Sequence, residues 1–342
     1  MNTLTQMLQS PPQRIVVFRA LKLGDLLCSV PAFRALRRAF PQAHIALLSL
    51  PWAADFVRLF PAYFDEFISF PGWPGLPEQP VDPAKTVAFL AQMQARQWDV
   101  ALQMQGNGTF VNAMLSLFGA RLVAGYYPQL LPAERMGSPD LWMPYPQPEH
   151  EVIRHVQLME FLGLTPAGYE LEFPATPTDF PLPDALNALH EPYVCIHAGG
   201  ISGRRWPAEQ FAQVADRLAT AGLPVVLTGT GAESPIAQTV QQHMHHRAVD
   251  LTGQTDLPTL AAVLRQSVGL VSNDTGVSHL ATACQVPSVV IFTSADPAEW
   301  APLATHRHRA VREADTTPTA LADLLLSLVR DRVNHPLTPS LN

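Results

Sequence analysis

Short apolar runs of strand length alternate with segments of helical spacing along most of this 342-residue sequence. Strand-like runs include residues 14–19, 44–50 and 99–104 in the first half, and 193–197 and 287–292 in the second. Strands that alternate with helices are typical of parallel sheets whose strands are joined by crossover helices. The sequence therefore predicts an α/β fold, in which ligands bind beside the carboxyl ends of the strands.

The length of the chain favours two domains, each large enough to bury its own core. Prolines are dense over residues 165–183, and a new strand-like run begins at Tyr193. We therefore expect an N-terminal domain over residues 1–170, a linker over 171–190 and a C-terminal domain over 191–342.

The composition narrows the class of protein. Apolar residues make up 47% of the chain and charged residues 15%, which fits a globular protein and excludes a disordered one. We expect no transmembrane segment, because no apolar run reaches about 18 residues. We expect no secretion signal, because residues 1–12 lack an apolar core, and we therefore expect a cytoplasmic location. A net charge of −7 argues against nucleic-acid binding. Cys28, Cys195 and Cys284 lack the spacing of a zinc site, and each lies in an apolar stretch, which indicates buried, reduced thiols.

The strongest ligand-binding signal is Asn273-Asp274-Thr275-Gly276, a turn between an apolar strand and a helix. A helix N-terminus presents unpaired N–H groups and partial positive charge, and a glycine lets a phosphate approach the backbone. The alternative is that Asn273 or Asp274 only caps the helix. Loops of this kind are predicted at one sheet edge over residues 198–205, 229–233, 273–276 and 293–297. Their convergence favours a ligand site.

A second phosphate-binding signal follows the first strand of the C-terminal half. Gly199 and Gly200 open a loop there, and Arg204 and Arg205 precede a proline at the first turn of a helix. Guanidinium groups match the geometry of a diphosphate, so we predict phosphate contact. The alternative is a surface ion pair with Glu209.

Glu233 follows Gly229-Thr230-Gly231, which matches a dinucleotide-binding fingerprint only in part because the third glycine is absent. We therefore reject nicotinamide binding and expect no cofactor. The carboxylate of Glu233 is instead suited to accept a hydrogen bond from a ribose or sugar hydroxyl.

Asp25 stands where the first strand gives way to a helix, with Lys22 and Arg19 close by in sequence. A carboxylate at such a junction either caps the helix or acts as a general base facing a cleft. The local sequence favours the cap. His155, in a helix predicted over residues 150–162, is as consistent with a solvated position as with a functional one.

Three separated motifs cover most of the chain in a characteristic order. They are Leu23-Gly24-Asp25 followed by Pro31-Ala32-Phe33-Arg34-Ala35-Leu36-Arg37, His197-Ala198-Gly199 followed by Arg204-Arg205-Trp206-Pro207, and Asn273-Asp274-Thr275-Gly276 with His279, extended by Asp296-Pro297. The combination is far more specific than any single motif. In these motifs the sequence resembles glycosyltransferase family 9, the heptosyltransferases of lipopolysaccharide core assembly.

The resemblance implies a fold and a reaction. The fold would be α/β, with two Rossmann-like domains that face each other across a cleft, the GT-B type of glycosyltransferase. The first domain would bind the acceptor and the second the donor. The reaction would be an inverting transfer of heptose, typically from ADP-heptose, to a Kdo or heptose hydroxyl of the lipopolysaccharide core.

The resemblance also assigns residues. Asp25 matches the position of the catalytic base. The predicted donor-binding residues are His197, Gly199, Gly200, Arg204, Arg205, Glu233, Asp274, Thr275, Gly276 and His279, and the predicted acceptor-binding residues are Arg19, Lys22 and Arg121. Arg204 stands where the family usually has lysine, which keeps the charge but changes its reach and geometry.

The expected partners are a nucleotide-sugar donor and a glycolipid acceptor at the cytoplasmic face of the inner membrane. No Asp-x-Asp metal-binding motif occurs, so we expect arginines, backbone N–H groups and a helix terminus to neutralise the leaving diphosphate without a metal. Two alternatives stay open. One is a related glycosyltransferase with another nucleotide sugar, or with a protein or capsule acceptor. The other is a non-catalytic nucleotide-sugar binding protein.

Overall fold

The fold is described by a computed structural model that covers residues 2–129, 138–174, 180, 182–187, 189 and 191–334, without the side chains of 331–334. The chain divides into two compact units, Met1–Glu170 and Leu171–Asn342. The residues predicted as a linker, 171–190, fall in the second unit, and residues 175–179, 181, 188 and 190 lie outside the described part.

The first unit contains a six-stranded sheet. Its strands are β1 (Arg14–Phe18), β2 (His44–Ser49), β3 (Glu66–Ser69), β4 (Val100–Gln103), β5 (Leu122–Tyr127) and β6 (Trp142–Pro144). Its helices are α1 (Thr3–Leu8), α2 (Leu23–Ala39), α3 (Ala53–Leu59), α4 (Pro83–Ala95), α5 (Asn112–Ser116) and α6 (Glu151–Phe161). The strand order is β3-β2-β1-β4-β5-β6, and every neighbouring pair is parallel.

The second unit repeats this architecture. Its strands are β7 (Val194–His197), β8 (Val225–Leu227), β9 (Val249–Asp250), β10 (Gly269–Asn273), β11 (Ser288–Phe292) and β12 (His308–Arg312). Its helices are α7 (Ala208–Thr220), α8 (Ser234–His243), α9 (Leu257–Gln266), α10 (Gly276–Ala283), α11 (Pro297–Trp300) and α12 (Pro318–Asn334). The strand order is β12-β11-β10-β7-β8-β9, again parallel throughout.

Both sheets therefore have the same winding. Counted within each unit, the order is 3-2-1-4-5-6, the order of dinucleotide-binding Rossmann folds. The direction of winding reverses between the first and fourth strands, which are β1 and β4 in one unit and β7 and β10 in the other. Ligands of open α/β sheets bind outside the carboxyl ends of the strands at this switch point. The predicted parallel α/β fold is confirmed. The loops after these four strands are therefore the expected ligand-binding loops.

Each unit has its own apolar core. In the first, Phe18, Leu48 and Trp98 are among the fully buried side chains, and in the second Ile196 and Leu325 are. The last helix, α12, packs on α7 and on strands β10 and β11 of its own unit. Each sheet is thus held by apolar contacts within its own unit.

The core of the second unit extends to the end of the loop that follows β7. Trp206 is buried just before α7, and its ring meets Phe211 edge to face, with centroids 5.3 Å apart and planes at 82°. Such pairs add to the stability gained from burial. The packing of Trp206 thereby fixes the point at which this loop enters α7.

Replacing Phe211 by alanine should lower the free energy of unfolding by about 3–5 kcal/mol, because the change leaves a cavity and removes the partner of Trp206. Denaturant unfolding followed by tryptophan fluorescence measures the loss. The matched control is Phe110→Ala, which truncates an exposed phenylalanine and should change stability by no more than about 0.5 kcal/mol. Equal effects of the two substitutions would contradict the assigned core.

Candidate functional site

Asp25 lies at the switch point of the first sheet, in the first turn of α2. Lys22 is the N-cap residue, and its backbone N–H donates to Asp25 Oδ2 at 3.2 Å. Asp25 is therefore the third helical residue rather than the cap itself, and its carboxylate satisfies a donor at the helix start. Its side chain remains 18% exposed. The capping contact and a partly exposed carboxylate are thus combined in one residue.

Arg19, immediately after β1, is only 1% exposed and uses its donors within the first unit. Its Nε donates to the backbone oxygen of Asp25 at 3.0 Å, and its Nη1 donates to the backbone oxygen of Met104. Its Nη2 lies 3.4 Å from Asp25 Oδ1 and 2.6 Å from Glu151 Oε1. The buried Arg19 therefore holds Asp25 in place, and its predicted contact with the acceptor stays a prediction.

The environment of Asp25 favours a base. Burial raises the pKa of the Asp25 carboxyl above its ordinary value, the Arg19 guanidinium opposes this, and the nearby Glu151 carboxylate raises the pKa further. A carboxylate with a raised pKa accepts a proton more readily near neutral pH than an exposed aspartate does.

The other two predicted acceptor residues lie at opposite edges of the first sheet. Lys22 is exposed beside Asp25, at the carboxyl edge. Arg121 precedes β5 and therefore lies at the amino edge, where it forms an ion pair with Asp99 at 3.2 Å. The structure therefore places Arg121 away from Asp25, and the prediction that it binds the acceptor stays a prediction.

His155 is buried, so the solvated alternative was wrong. Its Nε2 lies 3.1 Å from Glu151 Oε1 and its Nδ1 lies 3.0 Å from the Tyr126 hydroxyl. Burial lowers the pKa of the imidazole to about 4, so the ring is neutral at pH 7. The sequence reasoning missed this cluster; its only local signal was the spacing of Glu151 and His155, one helical turn apart.

In the second unit, Asn273 ties two loops together at the switch point. It is the last residue of β10 and is fully buried. Its Oδ1 accepts the backbone N–H of Trp206 at 2.9 Å, and its Nδ2 donates to the carbonyls of Ala198 and Gly199 at 3.0 and 2.9 Å. The loop after β7 is therefore clamped near both of its ends by one amide. Sequence reasoning placed Asn273 in the motif but missed this role.

Glu233 joins the same loop to the turn after β8. Its Oε1 accepts the backbone N–H of Gly200 at 2.6 Å, and its Oε2 accepts the N–H and hydroxyl of Thr230 at 2.7 and 2.9 Å. A Cβ on Gly199 would lie 2.2 Å from Oε1, so a side chain at this position would displace the Glu233 carboxylate from these contacts. His197 Nε2 is 3.9 Å from Oε2.

The charge state of Glu233 follows from these contacts. Burial alone would raise the pKa of its carboxyl, but the hydrogen bonds from Thr230 and Gly200 and the neighbouring His197 lower it. The residue is therefore an anion that orders the loop, with lone pairs remaining for a hydroxyl donor.

The N-terminus of α10 lies beside this loop. Thr275 is the N-cap residue, and in the described structure its side chain makes no capping bond. Gly200 has a φ of 130°, and a Cβ built on it would lie 3.8 Å from Thr275 Cβ and 3.9 Å from Thr275 Oγ1. Gly276 begins the helix, and Asp274 precedes the cap. The predicted glycine loop and the predicted helix terminus are thus brought together, which is an arrangement that binds anions.

His279 lies one turn further along α10. It is buried, and its ring meets that of Trp300 with centroids 6.1 Å apart. The structure therefore places this predicted donor residue close to the helix N-terminus but largely covered by protein.

Arg204 and Arg205 lie on the loop between Gly200 and α7, the first exposed and the second half-buried. Among the described residues, neither guanidinium forms an ion pair, so the alternative of a surface pair with Glu209 is not found. Both cations remain available to an anionic ligand at the loop. Arg205 also lines a groove of about 370 Å³ with Trp206 and Ile236.

Asp25 thus lies at the switch point of one Rossmann-like unit, and the phosphate-type loops lie at the switch point of the other. The model of glycosyltransferase family 9 (heptosyltransferase) matches residues 86–321. The chain belongs to this family and is a glycosyltransferase. The predicted family is thereby confirmed.

Curated relatives are similar over most or part of the chain. Lipopolysaccharide heptosyltransferase 2 of Salmonella typhimurium is 23% identical over 321 residues, which cover 87% of this chain and 88% of that protein. Lipooligosaccharide heptosyltransferase 2 of Haemophilus influenzae is 28% identical over 104 residues, which cover 29% of this chain and only 30% of that protein.

Solved structures share the fold across both units. A family 9 glycosyltransferase of Veillonella parvula has a TM-score of 0.76 at 18% identity, covering 93% of this chain and 97% of that one. The ADP-heptose heptosyltransferase II of E. coli has a TM-score of 0.74 at 19% identity, covering 94% and 99%. An E. coli heptosyltransferase with ADP-2-deoxy-2-fluoro heptose has a TM-score of 0.67 at 19% identity, covering 93% and 99%. The predicted two-domain GT-B fold is confirmed.

Two further findings concern the described residues alone. None of the helices there combines the length and the hydropathy that a bilayer span requires. In the same ranges, no three His, Cys, Asp or Glu side chains are grouped in a way that could hold a metal ion.

Asn273→Ala should lower the free energy of unfolding by about 1–3 kcal/mol, because it leaves buried backbone groups without their partners. It should also loosen the loop after β7, which carries Arg204 and Arg205 as trypsin sites. Limited trypsin digestion, with the cleavage sites identified by mass spectrometry, should show faster cleavage at these two arginines.

The matched control is Asn187→Ala, which removes an exposed asparagine whose amide lies 3.4 Å from Asp184. It should leave cleavage at Arg204 and Arg205 unchanged. Unaltered stability together with unaltered cleavage in Asn273→Ala would contradict the clamp.

Proposed function

We propose that this glycosyltransferase moves heptose from ADP-heptose to a Kdo or heptose hydroxyl of a lipopolysaccharide core, with inversion at the anomeric carbon and without a metal ion. The observation that carries the proposal is the placement of the two motifs at equivalent switch points. Asp25 follows the first strand of one sheet, and the loops after β7 and β10 meet at the switch point of the other. The family of the chain and its curated relatives support the heptose assignment.

The donor would bind to the second unit. Its diphosphate would lie against the N–H groups at the start of α10 and the glycine loop, with Thr275 and Gly276 nearest and Arg204 and Arg205 supplying positive charge. Glu233 would accept a hydrogen bond from the ribose or sugar. The solved E. coli heptosyltransferase with an ADP-fluoroheptose supports this type of donor.

His197, Gly199, Asp274 and His279 complete the proposed donor set in different ways. Gly199 admits the Glu233 carboxylate, and His197 lies 3.9 Å from it. Asp274 is partly exposed in the turn before α10, where a carboxylate can accept sugar hydroxyls. His279, being largely covered, would support the helix terminus through its packing on Trp300.

The chemical step would be a single displacement. Asp25 takes the proton of the acceptor hydroxyl, the acceptor oxygen forms a bond to the anomeric carbon, and the bond from that carbon to the diphosphate oxygen breaks. The electron pair of the broken bond leaves with ADP, whose charge is stabilised by the arginines and the helix terminus. Attack from the face opposite the leaving group inverts the anomeric centre.

The acceptor would be a glycolipid at the cytoplasmic face of the inner membrane. Lys22, exposed beside Asp25, is the described cation best placed to contact an anionic acceptor sugar. Arg19 would act on the acceptor only indirectly, through Asp25.

Asp25→Asn should lower kcat by about 10²–10⁴-fold, because an amide cannot accept the proton of the acceptor. Binding of ADP measured by calorimetry should be nearly unchanged, since donor contacts lie in the second unit. The matched control is Asp99→Asn, a carboxylate at the opposite sheet edge, which should retain turnover. Full turnover in Asp25→Asn would refute its role as the base.

Calorimetric titration with ADP-heptose and with UDP- and GDP-sugars, in Mg²⁺ and in EDTA, tests the donor. We expect selective binding of ADP-heptose that EDTA does not change. Arg204→Ala should weaken this binding by about tenfold or more, as expected for loss of a charge-assisted contact, and Arg204→Lys should restore part of it. Preference for a uridine or guanosine sugar would reject the heptose donor while leaving the family intact. Tight donor binding without turnover on any core acceptor would instead favour a non-catalytic binding protein.

A further inference from the structure

Glu151 occupies an unusual position for a carboxylate. It is the first residue of α6 and is buried, yet it lies 132 residues from Arg19 in sequence and contacts it directly. Its Oε1 accepts from Arg19 Nη2 at 2.6 Å and lies 3.1 Å from His155 Nε2, and its Oε2 pairs with the guanidinium of Arg154. Buried carboxylates persist only when such partners compensate their desolvation.

The charges in this cluster balance. Two carboxylates, Asp25 and Glu151, face two guanidinium groups, Arg19 and Arg154, while the neutral His155 adds a hydrogen bond. The guanidinium groups and the other contacts of Glu151 hold its pKa well below the ordinary value despite burial, so it stays an anion. A balanced set of this kind can be buried without leaving an uncompensated charge.

Arg19 divides its contacts unequally between the two carboxylates. Both meet the same nitrogen, Nη2, but the contact with Glu151 is 2.6 Å and that with Asp25 is 3.4 Å. The shorter contact is a charge-assisted hydrogen bond, and the longer one exceeds the usual length of a good one. Arg19 therefore pairs mainly with Glu151. It holds Asp25 chiefly by donating to the backbone oxygen of Asp25 at 3.0 Å.

We propose that Glu151 is a positioning residue for the glycosyl-transfer base: it retains the Arg19 guanidinium, so that Arg19 orients Asp25 without closing a full ion pair with its carboxylate. This inference rests on the proposed function, in which Asp25 takes the proton of the acceptor. A full ion pair would stabilise the anion and weaken it as a base. Glu151 thereby keeps Asp25 both oriented and reactive.

Other groups packed around Asp25 do not substitute for Glu151. The titratable and charged neighbours are Lys22 and Cys28 on α2 or its cap, Arg19 after β1, Tyr126 on β5, and Arg154 and His155 on α6, with Tyr145 packed against Arg154. Burial raises the pKa of the Tyr126 hydroxyl well above its ordinary value, so that group stays neutral. Among the described residues, two anions contact Arg19, namely Asp25 and Glu151.

Glu151→Gln tests the inference, because it keeps the shape and an acceptor oxygen but removes the charge. The guanidinium of Arg19 should then turn to the Asp25 carboxylate and lower its pKa. The acidic limb of the pH profile of kcat should move to lower pH, and the plateau should fall by roughly 3- to 30-fold, less than for loss of the base itself. Glu151→Asp keeps the charge and should keep the acidic limb near its wild-type position.

The matched control is Glu149→Gln. This carboxylate lies two residues away and bonds the His150 N–H and Gln157, outside the contacts of Arg19. The substitution should leave both the limb and the plateau unchanged. A carbon-13 NMR titration of the aspartate carboxyl carbons, with Asp25→Asn used to assign the signal, reports on Asp25 without any turnover.

The outcomes separate the inference from the proposed function. An unshifted acidic limb in folded Glu151→Gln overturns the inference, as does a wild-type Asp25 carboxyl that titrates at or below the ordinary aspartate pKa. The NMR titration of the wild-type chain decides this even where Glu151→Gln does not fold. Full turnover in Asp25→Asn overturns the proposed function instead. Loss of stability in Glu151→Gln with an unchanged limb assigns Glu151 a purely structural role and also overturns the inference.

Discussion

Each sheet reverses its winding beside its first strand, and the placement of every candidate residue depends on that reversal. Parallel pairing puts the carboxyl ends of all strands at one edge, and the reversal opens a crevice there because adjacent crossovers go to opposite faces. Asp25 follows β1, and Asn273 ends β10, both of which border such a crevice. The same topology therefore serves a proton acceptor in one unit and an anion site in the other.

Buried polar side chains then fix the loops at these crevices. Arg19 and Asn273 both stand at the carboxyl end of a strand beside the switch point and bind backbone carbonyls of neighbouring segments. Leaving such groups unpaired inside a protein is costly, so each side chain specifies the loop conformation that satisfies it. Glu233 does the same for the glycine loop through the N–H of Gly200. The loops are thus organised by the protein itself, and a preorganised site stabilises charge without rearranging.

Local patterns were enough to predict most strands and the motif turns, because these depend on apolar runs and on glycine chemistry. The short edge strands β6 and β12 gave no such pattern: Trp142–Pro144 has three residues, and His308–Arg312 has only two apolar residues among three basic ones. The contact between Arg19 and Glu151 could not be predicted, because the two residues lie 132 positions apart in sequence. The position of Arg121 could be predicted from the sequence. A residue that directly precedes a parallel strand lies at the amino edge of the sheet, opposite the carboxyl edge where Asp25 lies.

The independent cores of the two units have an evolutionary consequence. The proposed donor residues all fall between His197 and His279, inside a unit with its own sheet and apolar interior, and Asp25 with its supporting cluster falls inside the other. The buried apolar residues of each core come from its own unit. Within the proposed reaction, selection for a new saccharide acceptor can therefore proceed in the N-terminal half while the nucleotide-sugar specificity of the C-terminal half is inherited unchanged.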